Sequence, residues 1–191
     1  MRELQQPASR ASETKIPDTP VIETARLILR QNRLSDLDDR CAFTADPDFM
    51  RFVGGVYDRQ ENWSRLMRYI GHWAIFGFGL FAVEEKATGR YVGNVGLSRF
   101  ERSLGEDFDP YPECAWMIAQ WAEGQGYATE AMRAALIWYE RQFGAGRQVC
   151  IIDADNAASL RLAERLGFRF FREGLNRGHA VLLHERNAPP A

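Results

Sequence analysis

Glu123-Gly124-Gln125-Gly126-Tyr127-Ala128-Thr129-Glu130-Ala131 is the stretch on which the fold turns. It follows a strand-like run, Glu113 to Ala119, and leads straight into a helix predicted from Thr129 to Phe143. On that helix Met132, Leu136, Tyr139 and Phe143 fall on one stripe, and Gly144 and Gly146 end it. A strand that passes through glycines into a long helix has a particular chemistry. Small residues let main chain approach a ligand closely, and the first N–H groups of the helix lack intrahelical acceptors. Those donors and the positive end of the helix dipole make an anion site, for which a diphosphate is the natural occupant. By itself, Gly124-x-Gly126-x-Ala128 fits a tight turn that binds nothing equally well.

Two common phosphate motifs do not fit. A P-loop places Gly-Lys-Ser/Thr at the helix start, whereas Gly126 is followed by Tyr127 and Ala128. A dinucleotide fingerprint belongs in an early βαβ unit with an acidic residue ending the next strand. Asp153 and Asp155 are about that far on, but three predicted strands and two helices precede the bend, and the glycine spacing differs.

Beyond the bend, Val149 to Asp153 reads as a short buried strand and Asn156 to Leu166 as a helix, with Asn156 as N-cap and Gly167 as the stop. Phe168 to Arg172 and Ala180 to Glu185 read as closing strands. Before the bend, Thr24 to Gln31 alternates as an opening strand. Ser35-Asp36 caps a helical stretch to about Thr44, which Asp46-Pro47 interrupts. From Arg59 to Phe76, Trp63, Leu66, Met67, Ile70 and Trp73 recur at threes and fours, so a second helix is expected with this stripe in the core. Leu80 to Glu85 and Arg90 to Phe100 form a hairpin about Ala87-Thr88-Gly89, and Glu101 to Pro112 is a loop. The order is a mixed α/β (α+β) sheet without the regular alternation of a doubly wound fold.

Composition narrows the function. The 191 residues suit one domain, expected over residues 21–186, with a flexible leader at 1–20 and a frayed tail at 187–191. A formal charge of −2 advertises no nucleic-acid partner, no apolar segment is long enough to span a membrane, and no signal peptide is apparent. Cys41, Cys114 and Cys150 are scattered and odd in number, which argues against a disulfide framework or a metal site and favours a reducing cytoplasm.

The two motifs together resemble the GNAT superfamily of coenzyme A-dependent N-acyltransferases, and most closely the branch that acetylates ribosomal-protein N-termini. The matching residues are Gly124 to Ala131 and Asn156-x-x-Ser159-x-Arg161-Leu162-x-x-x-Leu166-Gly167-Phe168, with Arg26-Leu27-Ile28-Leu29-Arg30 and Gly93-Asn94-Val95-Gly96-Leu97 in support. The resemblance covers about Thr24 to Glu185. It departs at Glu123, where the family usually has Gln or Arg and this branch often an aromatic; a carboxylate there must point away from a diphosphate.

The resemblance implies a mostly antiparallel, splayed sheet of about seven strands flanked by helices, with acetyl-CoA as cosubstrate and no metal. Pantetheine is expected beside the strand end Ile118-Ala119-Gln120, the pyrophosphate on the N–H groups of Gly124, Gln125, Gly126, Tyr127, Ala128 and Thr129, and Asn156 on the pantetheine arm. Ser159 is expected near the sulfur as donor to the leaving thiolate. Transfer is direct: a neutral amine attacks the thioester, a base removes its proton, and an N–H near Ile118 stabilises the oxyanion. Glu113 is the candidate base, or else one half of a strand-end salt bridge. Cys114 and Cys150 are read as small core residues. His72 is isolated, and the carboxylates of Glu101, Glu106, Asp107 and Asp109 either attract a cationic amine or form a solvated loop. The acceptor is a small-molecule or peptide amine, and a homodimer is compatible with this class. A non-catalytic acyl-CoA-binding module, or a structural domain whose bend binds nothing, are the rival readings.

Overall fold

A computed structural model describes residues 20–187; the expected leader, apart from Pro20, and residues 188–191 lie outside them. Among the described residues, eight strands form one sheet in the order β1-β2-β3-β4-β5-β6-β8-β7. They are β1 (Ile22–Glu23), β2 (Leu27–Arg30), β3 (Leu80–Glu85), β4 (Tyr91–Ser98), β5 (Glu113–Ile118), β6 (Arg147–Ile152), β7 (Arg169–Asn176) and β8 (His179–Asn187). The helices are α1 (Leu37–Thr44), α2 (Pro47–Met50), α3 (Arg59–Phe76), α4 (Tyr127–Phe143) and α5 (Ala157–Arg165). Among the described residues every strand pairing is antiparallel except β5 with β6.

The expected seven strands become eight because β1 is only two residues long, below the reach of any periodicity. Asn187, expected in the tail, pairs with Arg147 and belongs to β8. Asp46-Pro47 does not merely interrupt a helix but starts one: the Asp46 carboxylate accepts from the N–H groups of Asp48 and Phe49, with Pro47 in the first turn. The helix expected from Thr129 begins at Tyr127.

Hydrophobic burial around α4 holds the site's scaffold. Ala131, Met132, Ala135 and Leu136 pack with Leu27, Leu29, Phe81, Val92 and Val95 in one core that also takes in Leu162, Leu166 and Phe168. Trp73 meets Phe81 and Trp138 at ring-centroid distances of 4.8 and 5.4 Å, which docks α3 on the same core. The α3 stripe is only partly as expected. Leu66 and Trp73 are buried, Trp63 is 44% exposed, and Tyr69 takes an inward place. α3 itself is well framed: Asp58 and Glu61 form a reciprocal capping box, and Gly77 ends the helix at φ 71°.

Candidate functional site

The parallel neighbours β5 and β6 touch only at the register Glu113–Val149, where the Val149 N–H donates to the Pro112 carbonyl at 3.1 Å. Beyond that point β5 stays with β4 and β6 with β8, so a gap opens in the middle of the sheet. At the far end of β5, Ala119 donates to the Val92 carbonyl at 2.7 Å. Antiparallel alternation therefore turns the main-chain groups of Trp116 and Ile118 away from β4, toward the gap. A cavity of about 570 Å³ runs along this opening, with Glu113, Trp116, Asp153, Asn156 and Ser159 on its wall.

The glycine bend has the conformation that its residues foretell. Gly124 and Gly126 sit at φ 73° and 79°, where a Cβ is strained. Gly126 is the N-cap of α4 and offers no side chain to it. The first intrahelical bond runs from Glu130 N–H to the Gly126 carbonyl at 3.1 Å, so Tyr127, Ala128 and Thr129 have no intrahelical acceptor for their N–H groups. Among the described residues, no atom lies within 4 Å of where a Gly124 Cβ would be, leaving the approach open. Arg26 braces the bend from outside: it donates to the Gln125 carbonyl at 2.9 Å, pairs with Glu130, and lies over the Tyr127 ring. Tyr127 donates to Glu85 at 2.5 Å. The Glu123 side chain is exposed, and burial of its surroundings together with nearby Asp46 raises its pKa. Uncapped donors with glycine on the approach fit the diphosphate of a coenzyme.

Across the gap, α5 begins with its expected cap. The Asn156 side-chain oxygen accepts from the Ser159 N–H at 3.0 Å. That occupies one end of the amide and leaves its NH2 for the expected contact with a pantetheine arm. The Ser159 hydroxyl accepts from the Trp116 indole N–H at 3.1 Å, which fixes its oxygen and frees its hydrogen to donate.

Glu113 is 3% exposed and held by Arg102 through two hydrogen bonds of 2.6 and 2.7 Å. Burial pushes its pKa up, and the guanidinium opposes that shift. The strand-end ion pair thus exists, and the carboxylate also faces the cavity. His72 has a structural post: Nδ1 lies 2.6 Å from the Phe78 carbonyl and Nε2 accepts from the Arg99 N–H at 3.0 Å. Cys114 and Cys150 are buried, and burial raises both thiols far above their ordinary range. In the 101–112 loop, Asp107 is spent on Arg172, and Asp109 on the N–H groups of Arg102 and Gly105.

The cavity thus brings together Glu113, Asn156 and Ser159, while Ile118, Ala119, Gln120 and the bend 124–129 lie outside its wall. Sequence reasoning missed Trp116, read only as part of a strand, and Arg102, which nothing in its spacing marks. It also missed four more arginines that line the cavity, Arg51, Arg65, Arg68 and Arg177. Arg65 and Arg68 stand three apart on α3 beside Tyr69, a helical-face signal that the residues do carry. Arg177 reaches the cavity only because the β7–β8 hairpin returns there.

Comparisons with known proteins agree with this architecture. The model of the acetyltransferase (GNAT) domain family matches residues 26–169. A protein of Bordetella pertussis assigned to the GnaT acetyltransferases shares 34% identity, with a TM-score of 0.78 over 87% of this chain and 99% of that one. An uncharacterized protein of Bacillus subtilis (strain 168), YkkB, is 29% identical over 178 residues, 85% of this chain and 96% of the relative. RimL, a ribosomal L7/L12 α-N-protein acetyltransferase solved with coenzyme A, has a TM-score of 0.72 over 88% of this chain and 98% of its own; at 16% identity the likeness is one of fold.

Proposed function

The chain belongs to the GNAT acetyltransferase family, and from that premise we propose that it transfers the acetyl group of acetyl-CoA directly to a primary amine, on a small molecule or at a peptide N-terminus. The observation that carries this reading is the Ser159 hydroxyl, fixed by Trp116 on the wall of the gap between β5 and β6. RimL, of the same fold, was solved with coenzyme A.

Acetyl-CoA supplies an activated acyl thioester. The diphosphate is assigned to the N–H groups at the bend, from Gly124 to Thr129, aided by the positive end of the 17-residue helix α4. The Asn156 NH2 and the main chain at Ile118, Ala119 and Gln120 are assigned to the pantetheine arm. The Ile118 N–H, turned toward the gap by the ladder's alternation, is the donor for negative charge developing on the thioester oxygen. Ser159 donates its free hydrogen to the departing sulfur, which eases its departure as thiolate.

An alkylammonium must lose a proton before it can attack. Glu113 is the assigned acceptor of that proton, reached through water because it lies five residues before Ile118 on β5; burial raises its affinity for a proton, and the Arg102 guanidinium opposes that shift. No covalent acyl-enzyme is required, and the buried, high-pKa thiols of Cys114 and Cys150 are poor nucleophiles.

A thiol-release assay with acetyl-CoA against a panel of amines tests the reading and narrows the acceptor at once. Turnover lost in Glu113→Gln or Ser159→Ala supports it. Absence of any acetyl-CoA effect on the melting temperature at millimolar concentration overturns it.

A further inference from the structure

The cavity wall is arginine-rich. Arg51, Arg65, Arg68, Arg102 and Arg177 line it, against two carboxylates, Glu113 and Asp153. Glu113 is already taken by Arg102. Among the described residues, Arg51, Arg65, Arg68 and Arg177 have no carboxylate within 4.0 Å. Nearby Glu61 is engaged in capping α3.

Three of these guanidiniums, those of Arg51, Arg65 and Arg68, lie over aromatic rings instead. Arg65 lies 3.7 Å over the ring of Tyr57, which is itself tied to the Val53 carbonyl by a 2.7 Å hydrogen bond. Burial lowers the pKa of Arg65, and the charges of nearby Arg68 and Arg177 act in the same direction. Behind this wall Arg40 is completely buried. It bonds to Asn94 and lies under the Tyr69 ring at 4.9 Å, and among the described residues its Nε and Nη2 have no partner. Tyr69 and Asn94 both face the cavity. Like charges gathered in a concave, partly desolvated site repel one another, and an anion relieves that repulsion. The coenzyme's diphosphate does not answer for them, because the bend assigned to it is not on this wall.

We propose that the acceptor amine carries an anionic group, a carboxylate or a phosphate, held by Arg65, Arg68 and Arg177 while the amine faces Glu113. This rests on the acetyl-transfer reading, which makes the cavity the acceptor site. Guanidinium forks match both anions in geometry and charge. They disfavour a purely cationic acceptor such as a polyamine.

Two measurements test it on the full chain. In the first, inorganic phosphate is titrated while the Nε–H signals of the arginines are followed by NMR. Saturable shifts at Arg65, Arg68 and Arg177, absent at exposed arginines outside the cavity such as Arg133 and Arg161, support the site; uniform or absent shifts overturn it. In the second, thiol release is compared for γ-aminobutyrate and its amide, and for tripeptides with Asp or Asn in the second position. The acid of at least one pair should show kcat/KM about tenfold or more above its neutral partner, the effect of one charge-assisted contact. Whichever pair shows it identifies a small molecule or a peptide as the source of the anion. In Arg68→Gln and Arg177→Asn the ratio should fall toward one; Asn suits the positive φ of 54° at position 177, so folding is spared. Equal use of acid and neutral members, with acetyl-CoA still raising the melting temperature, removes the anion and leaves acetyl transfer standing. Loss of the acetyl-CoA effect as well removes both.

Discussion

The indole N–H of Trp116 on β5 donates to the hydroxyl oxygen of Ser159 on α5 at 3.1 Å, so one hydrogen bond spans the gap in the sheet. The bond orients a hydroxyl that a free rotor would leave in three positions. Ser159→Ala should lower kcat about 100-fold, the usual worth of one positioned proton donor, with little change in the acetyl-CoA concentration needed for half-maximal rate. Trp116→Phe keeps the donor and loses only its orientation, so its loss should be smaller, about tenfold or less. Steady-state kinetics on both variants check this; a larger loss in Trp116→Phe than in Ser159→Ala contradicts the assignment of roles.

The bend makes a separable prediction about binding. Gly126 is at φ 79°, and only the Arg26 guanidinium, 3.6 Å from where a Cβ would sit, comes near it. Gly126→Ala should therefore cost about 1 kcal/mol of stability from backbone strain and still bind coenzyme. Gly126→Glu adds a carboxylate at the uncapped helix end and should abolish the rise in melting temperature that acetyl-CoA gives the parent. Thermal unfolding with and without acetyl-CoA measures both. An undiminished rise in Gly126→Glu would place the diphosphate elsewhere.

The Glu113–Arg102 pair should be asymmetric. Glu113 is almost fully buried, whereas the Arg102 side chain keeps 22% of its surface in water. Removing Arg102 strands a buried carboxylate, and a cost of about 3 kcal/mol or more is expected for Arg102→Met. Glu113→Gln leaves a guanidinium that can turn outward, so it should cost less. Its activity should nevertheless fall at least 100-fold, and the acidic limb of the kcat/KM profile should disappear with the carboxylate. Denaturant titration and a pH–rate series separate the two effects; a Glu113→Gln enzyme with parental kcat and profile shows the pair to be structural only.

How far the residues announced all this depends on the range of the signal. The Gly124–Ala131 bend, the α3 boundaries and the Asn156 cap were legible because each is local: a positive φ, a 3.6-residue period, a side chain reaching three residues on. Arg102 against Glu113 and Trp116 against Ser159 were not, since nothing local links residues 43 apart, as in the second pair. The loop carboxylates left two readings open for a related reason. Whether Asp107 attracts a cationic amine or stays in a solvated loop turns on its partner Arg172, 65 residues away on β7. The strand β1 was missed because a two-residue strand has no period.

His72, isolated in the sequence but tethered at both ring nitrogens in the fold, yields a prediction about acid stability. Its Nε2 accepts from the Arg99 N–H and so carries no proton, while Nδ1 donates to the Phe78 carbonyl. Protonating Nε2 would break the first bond. Burial lowers the pKa, with the charges of Arg99 and Arg68 adding to the effect, and the Phe78 carbonyl opposes it. In the unfolded chain the imidazole titrates near its ordinary value of about 6.5. Below that value the unfolded state binds the proton and the folded state does not, so the unfolded state is favoured. The stability that neutral His72 contributes is therefore complete above about pH 6.5 and is lost as pH falls toward the lower folded pKa, at no more than about 1.4 kcal/mol per pH unit. His184 is lowered in the same sense by its own burial, so the parent curve alone reports both histidines. The difference between the parent and His72→Gln cancels His184 and isolates one proton. Urea unfolding at intervals from pH 8 to pH 5 should give curves that run parallel above pH 7 and converge below it, with the parent losing its advantage. Curves that stay parallel throughout would mean that the imidazole does not titrate differently in the two states, and that the α3–β4 tether is indifferent to its charge.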